Sequence, residues 1–473
     1  MLDQIRKKTR RVALLGIKFR WEGRDHTNAS TAILPEIAGW TPSRRSVAAY
    51  CIKDTRETIE KGKLQVAAHF RKRTPGGRIQ VRTRDIPVHI KDVFTGQIVE
   101  RKRGLKALGS ARPTTVFFSD SSHSVYRGKH AYVPLTLEDV RFPELGVGIY
   151  DVNWHWEYRL LDEEKSTKRE DVWEKRWRNL TITQHRIYVL LEAPKFPWMP
   201  SLLPNFLQAA PFPGPPGQHA LNVACEWARG AKTRSEIARR ITQGINRSGR
   251  FVYDVNPHYY EWATLDEISL IGDQSEAVLS QKLPVFHFGK VMERLDGGHG
   301  LGEKANCIDC ALMVMTLANI LGCDLQVSKL QASDNTDTAD PNFYTDNRFA
   351  VNRIRAIGHP DSETTLQGLQ NDGKHYFSFH AVAWDLPEEL GQISEDTMDV
   401  STEEISGQLR IYDACVEFVE ETEDGETYTS AADLPFAEAD AQPGYRNLLA
   451  AALPEGRDRC RFQTATVIRP QIN

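Results

Sequence analysis

The stretch from Asn306 to Gly322 reads Asn-Cys-Ile-Asp-Cys-Ala-Leu-Met-Val-Met-Thr-Leu-Ala-Asn-Ile-Leu-Gly and carries a single charged residue, Asp309. Its apolar residues, among them Ala311, Leu312, Val314, Met315, Leu317, Ala318, Ile320 and Leu321, recur at three- and four-residue steps. That pattern predicts a helix buried over most of its circumference, so the rest of the chain must supply a core around it. Asn306 is placed to cap the helix and Gly322 to end it. Cys307 then falls in the first turn, where unpaired backbone N–H groups and the positive end of the helix dipole favour the negative charge of a thiolate. Free cysteine is also among the most buried residue types. On this stretch alone, a nucleophile and a core residue near a helix start both remain open.

Two later segments narrow the choice. His380 lies in Tyr-Phe-Ser-Phe-His-Ala-Val-Ala-Trp (376–384), which alternates like a buried strand, and Asp413 lies in Leu-Arg-Ile-Tyr-Asp-Ala-Cys-Val (409–416), a second short apolar strand. A Cys at a helix start, a His on one strand and an Asp on the next is the order needed for a thiolate–imidazolium pair oriented by a carboxylate. The run resembles the transglutaminase-like superfamily, whose core reads Cys-x-x-x-Ala, an apolar helix ending in Leu-Gly, then His-Ala, then an Asp after a strand. Cys307 to Ala311, Leu321-Gly322, His380-Ala381 and Asp413 stand in that register. The resemblance covers about Thr233 to Phe418. It implies a papain-like α+β core in which Cys307, His380 and Asp413 are the catalytic residues.

The chain also departs from the family pattern. The usual His-Ala-Trp becomes His380-Ala381-Val382, with Trp384 two residues late, so no role is carried over for that Trp. Ser328–Gly373 is a long insertion rich in Asp, Asn, Thr and Gly, and Pro387–Gly407 is a second, acidic one. Loops of such length are functional lids or disordered segments as a rule. Both flank the His380 strand, so they are expected to border the cleft, where their charge favours a basic or neutral substrate.

Rival chemistries for the same residues are weaker. Cys307-Ile308-Asp309-Cys310 could be a redox dithiol or half a zinc site. The run before it, Asp-Gly-Gly-His-Gly-Leu-Gly (296–302), is a loop and not the strand of a thioredoxin-like unit. A zinc site would have to recruit His287 or His299, because the chain has no second C-x-x-C. The glycines of the same loop have no Lys-Ser/Thr after them in phosphate-loop register. They are expected to give substrate a flexible approach to Cys307. His375, five residues before His380, falls on the opposite strand face.

Residues 12–192 have the pattern of short strands. Val152, Trp154, Trp156, Tyr158 and Leu160 alternate with polar residues, and Leu64–Phe70, Arg78–Arg84, Pro87–Ile90, Thr115–Phe118, His130–Leu135 and His185–Leu191 are further candidates. Asp162–Trp177 is a charged helix or loop. The tryptophans at 154, 156, 173 and 177 are expected in the core. Frequent turns suggest a β-sandwich or barrel-like domain over 1–193. Residues 194–217 are Pro-rich and read as a stiff linker. From 218 the period turns helical, with Leu221–Arg229 and Thr233–Arg247 as helices, Ile237, Ile241 and Ile245 on the apolar face of the second, and Phe251-Val252-Tyr253 closing it. The expected class is therefore α+β, with a β-rich N-terminal domain and a catalytic domain over 218–473.

Charge and cysteine usage exclude some functions. Residues 1–110 hold 25 Lys and Arg against 10 Asp and Glu, while the rest hold 35 against 53. The basic clusters Arg71-Lys72-Arg73 and Arg101-Lys102-Arg103 flank turn signals and suit solvated hairpin ends, and no nucleic-acid motif accompanies them. Nucleic acid is not the expected partner. No apolar run reaches the length of a membrane helix, and the start at residues 6–17 is too short and too interrupted for a signal peptide. Seven scattered cysteines suit reduced thiols and a cytoplasmic setting. The expectation is a cysteine acyl-transfer enzyme acting on a protein or peptide amide, hydrolysis ahead of cross-linking, with no cofactor or metal. The alternative is a degenerate core used as a binding scaffold.

Overall fold

The computed structural model describes residues 12–18, 46–53, 64–73, 78–86, 90–91, 98–99, 110–118, 129–138, 142–161, 177–198, 217–254, 285–331, 349–359, 375–377, 379–385, 409–422, 425–437, 444–450, 461–463 and 471–472. The chain divides into two units, Met1–Ala193 with Pro215–Lys232, and Pro194–Gly214 with Thr233–Asn473. The division is interleaved: part of the Pro-rich stretch groups with the second unit, and the helix after it groups with the first.

In the first unit the strands are β1 (Val12–Lys18), β2 (Ser46–Cys51), β3 (Leu64–Lys72), β4 (Arg78–Ile86), the short pair β5 (Ile90–Lys91) and β6 (Ile98–Val99), β7 (Ser110–Phe117), β8 (His130–Glu138), β9 (Gly148–Leu161) and β10 (Arg178–Leu190). Eight of them form one sheet in the order β1-β3-β8-β7-β4-β9-β10-β2, antiparallel throughout except that β2 runs parallel to β10. Most of the candidate strands read from the sequence lie in it; β2 was not among them, and Pro87–His89 and 162–176 fall outside the described residues. Period-two alternation decides which side chains go inward. Val152, Trp154, Trp156, Tyr158 and Leu160 of β9 are buried, and inward residues from all eight strands meet in one core. The sheet therefore curls over its own inner face. Trp154 and Trp156 belong to that core, as expected, but Trp177 is half-buried, with the guanidinium groups of Arg82 and Arg159 4.0 and 5.0 Å from its ring. Trp173 is outside the described residues. The helix α1 (Phe142–Leu145) adds Phe142 to the core, and α2 (Gln218–Trp227) packs on β9 and β10, where Asn222 accepts a 2.6 Å bond from the Tyr188 hydroxyl.

The second unit is built around the apolar run read from the sequence. It contains α3 (Arg234–Asn246), β11 (Val252–Tyr253), β12 (Val285–Phe286), α4 (Phe288–Leu295), β13 (Lys304–Ala305), α5 (Cys307–Ile320), β14 (Gln326–Gln331), β15 (Phe349–Val351), β16 (Ile354–Ala356), β17 (His375–Phe377), β18 (His380–Asp385), β19 (Arg410–Thr422), β20 (Gly425–Pro435), α6 (Tyr445–Leu449), β21 (Arg461–Gln463) and β22 (Gln471–Ile472). All fourteen residues of α5 are buried. The helix packs on β14, β18 and β19 and against α3, whose buried face is Ile237, Ala238, Ile241 and Ile245. The main sheet has the order β16-β19-β18-β14-β21, with β20 also on β19. His380 and Asp413 thus come from adjacent strands at the centre of the sheet, over the helix that carries Cys307. Helices on one side of a mainly antiparallel sheet make this an α+β unit.

Two findings were not legible in advance. The segment 328–373 is not a loop throughout, since β15, β16 and most of β14 lie in it; residues 387–407 are outside the described residues. The start of the Pro-rich stretch is pinned to α5: the Lys195 N–H bonds the Asn319 carbonyl at 2.9 Å, the Phe196 carbonyl accepts from Asn319 Nδ2 at 2.7 Å, and Trp198 Nε1 donates to the Thr316 carbonyl at 2.9 Å. These bonds tie the segment to the last turns of the helix. No helix among the described residues is long and apolar enough to cross a membrane.

Candidate active site

The start of α5 fixes Cys307. Asn306 Oδ1 accepts from the Asp309 N–H at 2.9 Å, and Asp309 Oδ2 accepts from the Asn306 N–H at 3.0 Å, a reciprocal capping box. Asp309, the lone charge of the run, is fully buried and spent on this cap. The box leaves the N–H of Cys307 at the positive end of the helix uncommitted. The other end closes with Gly322 at φ 94°, bonding Asn319, and the Cys323 N–H bonding Ala318, the two bonds of a Schellman motif.

The structure brings Cys307, His380 and Asp413 together. His380 is fully buried, Asp413 is 2% exposed and Cys307 is 6% exposed. Nε2 of His380 donates to Asp413 Oδ2 at 2.8 Å. Because a carboxylate only accepts, this bond places a hydrogen on Nε2 and turns Nδ1 away from Asp413. Nδ1 is buried and meets no partner at ordinary hydrogen-bond geometry among the described residues, yet the Cys307 thiol lies near enough to act on the ring. Burial opposes the charged ring most strongly; the Asp413 charge and hydrogen bond, reinforced by Cys307, overcome it, and the His380 pKa is pushed up to about 10. The ring is stacked on Phe377, centroids 5.2 Å apart and planes 8° from parallel, and Phe349 meets Phe377 edge-on.

Asp413 is held from three sides. Besides His380, Oδ2 accepts from the Tyr445 hydroxyl at 2.6 Å, and Oδ1 accepts from the Cys415 N–H at 2.8 Å. Tyr445 is fully buried on α6 and packs edge-on to Phe418. Sequence reasoning missed Tyr445, because a single tyrosine 32 residues beyond Asp413 carries no periodicity and no motif. Tyr253 was passed over as a functional residue, although its turn was noted. β11 pairs in parallel with β13, which runs directly into the cap of α5. Burial first, and then Cys415, Cys307, Cys310 and Asp413, raise the Tyr253 hydroxyl well above its ordinary value, so it stays protonated beside the site.

Cys310 and Cys415 are fully buried behind Cys307. Their mutual hydrogen bond acts to lower the Cys310 thiol, but burial and the charges of Asp309, Asp413 and Cys307 outweigh it, and the net shift is upward. Burial, then Cys310, raises Cys415 further. Both remain neutral thiols, so the C-x-x-C pair does not supply two equivalent nucleophiles. Among the described residues no group of three or more His, Cys, Asp or Glu is placed to hold a metal ion. His287 stands at the start of α4 and His299 in the turn after it. His375 lies on β17 opposite Val351, and its side chain is outside the described residues.

No protein-family model matches the chain, and no curated protein matches its sequence. Among solved structures, red sea bream transglutaminase aligns at 12% identity with a TM-score of 0.32, over 82% of this chain and 52% of that one. The alignment thus spans about half the length of that protein.

Proposed function

We propose that the second unit is a cysteine acyl-transfer enzyme acting on peptide or side-chain amides. The observation that carries this reading is the 2.8 Å bond from His380 Nε2 to Asp413, made in a buried site where the Cys307 thiol also acts on the ring. Cys307 Sγ attacks the amide carbonyl carbon as a thiolate, and the C–N bond breaks as the His380 Nδ1 proton passes to the departing amine. Asp413 fixes the tautomer and orientation of the ring. The Cys307 N–H, at the helix start, contributes one donor to the developing oxyanion. Water then attacks the thioester carbonyl, with His380 taking its proton, and the acid leaves. Hydrolysis as protease, amidase or deamidase is favoured over transfer to an amine.

A second reading has one observation in its favour: with Cys307 6% exposed and His380 fully buried, the site is closed in this conformation, as a binding scaffold with a vestigial centre would be. Limiting iodoacetamide at neutral pH, followed by peptide mass spectrometry, separates the two. The enzyme reading expects Cys307 to be alkylated at least ten times faster than Cys310 or Cys415, with the difference lost in His380→Ala. Slow, equal labelling of the cysteines would establish the scaffold.

A further inference from the structure

Within the second unit, four residues along β19 from Asp413, lies a cavity of about 410 Å³ whose walls include Asn246, Arg247, Arg355, His359, Glu417 and Tyr428. Along this stretch Asp413 meets His380, Cys415 meets Cys310 and Glu417 meets Arg355, and β19 is irregular between Tyr412 and Glu417. Asn246 and Arg247 end α3, the helix that packs against both α5 and β19, so the cavity opens on the side of the sheet that bears the candidate active site. It is displaced along the strand by at most roughly 13 Å, the length of four fully extended residues at about 3.3 Å each.

Its charges are unevenly matched. Arg355 forks onto the buried carboxylate of Glu417, with Nε at 2.9 Å, and its guanidinium lies 3.6 Å from the Tyr428 ring centre. Arg353, close by, is paired with Glu426. Arg247, at the end of α3, is exposed and its guanidinium has no partner among the described residues. His359 Nε2 donates to the Tyr253 carbonyl at 3.2 Å, which leaves its Nδ1 uncommitted. Asn246 Nδ2 is spent on the Ala414 carbonyl at 3.0 Å, which leaves its Oδ1. At Gly358, φ is +79° and an added Cβ would come within 2.4 Å of the Phe251 carbonyl oxygen, so the turn carrying His359 is pressed against the strand that leads to Tyr253. The cavity thus holds one unmatched donor group, the Arg247 guanidinium, on a frame tied by main-chain bonds to the candidate active site; the spare Asn246 Oδ1 is an acceptor and takes no part in holding an anion. The Ile357 N–H completes that frame with a 2.8 Å bond to the Cys415 carbonyl.

We propose that this cavity is a substrate subsite that takes an acidic side chain of an extended peptide, with Arg247 as the residue that selects the carboxylate. The inference rests on the acyl-transfer reading for the word substrate, and on the cavity alone for the carboxylate. A peptide strand advances about 3.3 Å per residue, so the acidic residue would stand three or four positions from the reacting amide. One charge-assisted hydrogen bond from a guanidinium supplies on the order of tenfold in affinity. This preference runs opposite to the one inferred from the acidic insertions, because the cavity walls, and not those segments, hold the unmatched charge.

The test uses the full-length Cys307→Ser protein and fluorescein-labelled nonapeptides with one central glutamine, each peptide carrying Glu or Gln at one other position. Fluorescence anisotropy should show about tenfold tighter binding of the Glu peptide at one or two positions remote from the centre, an effect of one charge-assisted bond. In Cys307→Ser/Arg247→Gln that difference should vanish. Equal affinity for Glu and Gln peptides at every position, or a preference that survives Arg247→Gln, overturns the proposal. Turnover of the same peptides by the wild-type protein is measured separately. A binding preference without any turnover would sink the acyl-transfer reading and leave the cavity a carboxylate site.

Discussion

At the scale of residues, the decisive competition is on the His380 ring. Burial works against its charge, Asp413 and Cys307 work for it, and the balance puts its pKa at about 10. The proposed ion pair is competent while the ring is protonated and the thiol is not. The rate should therefore be bell-shaped in pH, with a basic limb that falls as pH rises through about 10. Asp413→Asn removes the largest charge raising the ring, so this limb should move to lower pH, and kcat should drop on the order of ten- to ten-thousand-fold. Tyr445→Phe acts in the opposite sense. It deletes the 2.6 Å donor to Asp413, which concentrates negative charge on the carboxylate and pushes the limb upward. The loss in kcat should be only about tenfold, since His380 and the Cys415 N–H still hold the carboxylate. Profiles of kcat/KM against pH for the three proteins check this. A wild-type limb near the ordinary imidazole value, unmoved by either substitution, would mean that Asp413 does not govern the ring.

At the scale of elements, what was legible followed from periodicity, and what was not came from singular contacts. The run 306–322 announced a helix closed at both ends and buried all round, and α5 is that helix. The strands carrying His380 and Asp413 were legible because their apolar positions are continuous. β2 was not, because six residues pairing in parallel with β10 leave no hairpin signal in the sequence. Nor was the role of Lys195–Trp198, since proline-rich composition describes stiffness and says nothing of what the stretch lies on. Trp198 is 5% exposed, donates to the Thr316 carbonyl and stands edge-on to Phe288 at 5.2 Å. Trp198→Ala should therefore cost about 3–5 kcal/mol, as truncating a buried aromatic does. Urea unfolding followed by a probe in α5 should show a lower midpoint at unchanged slope. A loss below about 1 kcal/mol, the level of ordinary surface changes, would mean that the segment does not clamp the helix.

At the scale of the whole molecule, each unit holds a buried histidine, and the two respond to burial in opposite ways. In the first unit His185 lies beside Trp154, its Nε2 2.6 Å from the Thr183 hydroxyl, which also accepts from Trp156 Nε1 at 2.9 Å. Burial lowers its pKa to about 3. In the second unit Asp413 reverses the outcome at His380. For His185 the unfolded chain binds the extra proton between pH 3 and about 6.5, so its contribution is whole above about 6.5 and drains away as pH falls toward 3. For His380 the folded chain binds the extra proton, so the contribution is whole below about 6.5 and is lost as pH rises through about 10. Each slope approaches 1.4 kcal/mol per pH unit within its window, the value for one proton. Hydrogen exchange followed peptide by peptide, with rates corrected for intrinsic pH dependence, reads the units separately. Protection of β9 and β10 should fall on acidification from pH 6.5 to 4.5, and protection of α5 and β18 should fall on going from pH 7 to 10. His185→Asn should flatten the first trend and leave the second. Full protection of β9 and β10 down to pH 4.5 would mean that His185 takes up its proton inside the folded core.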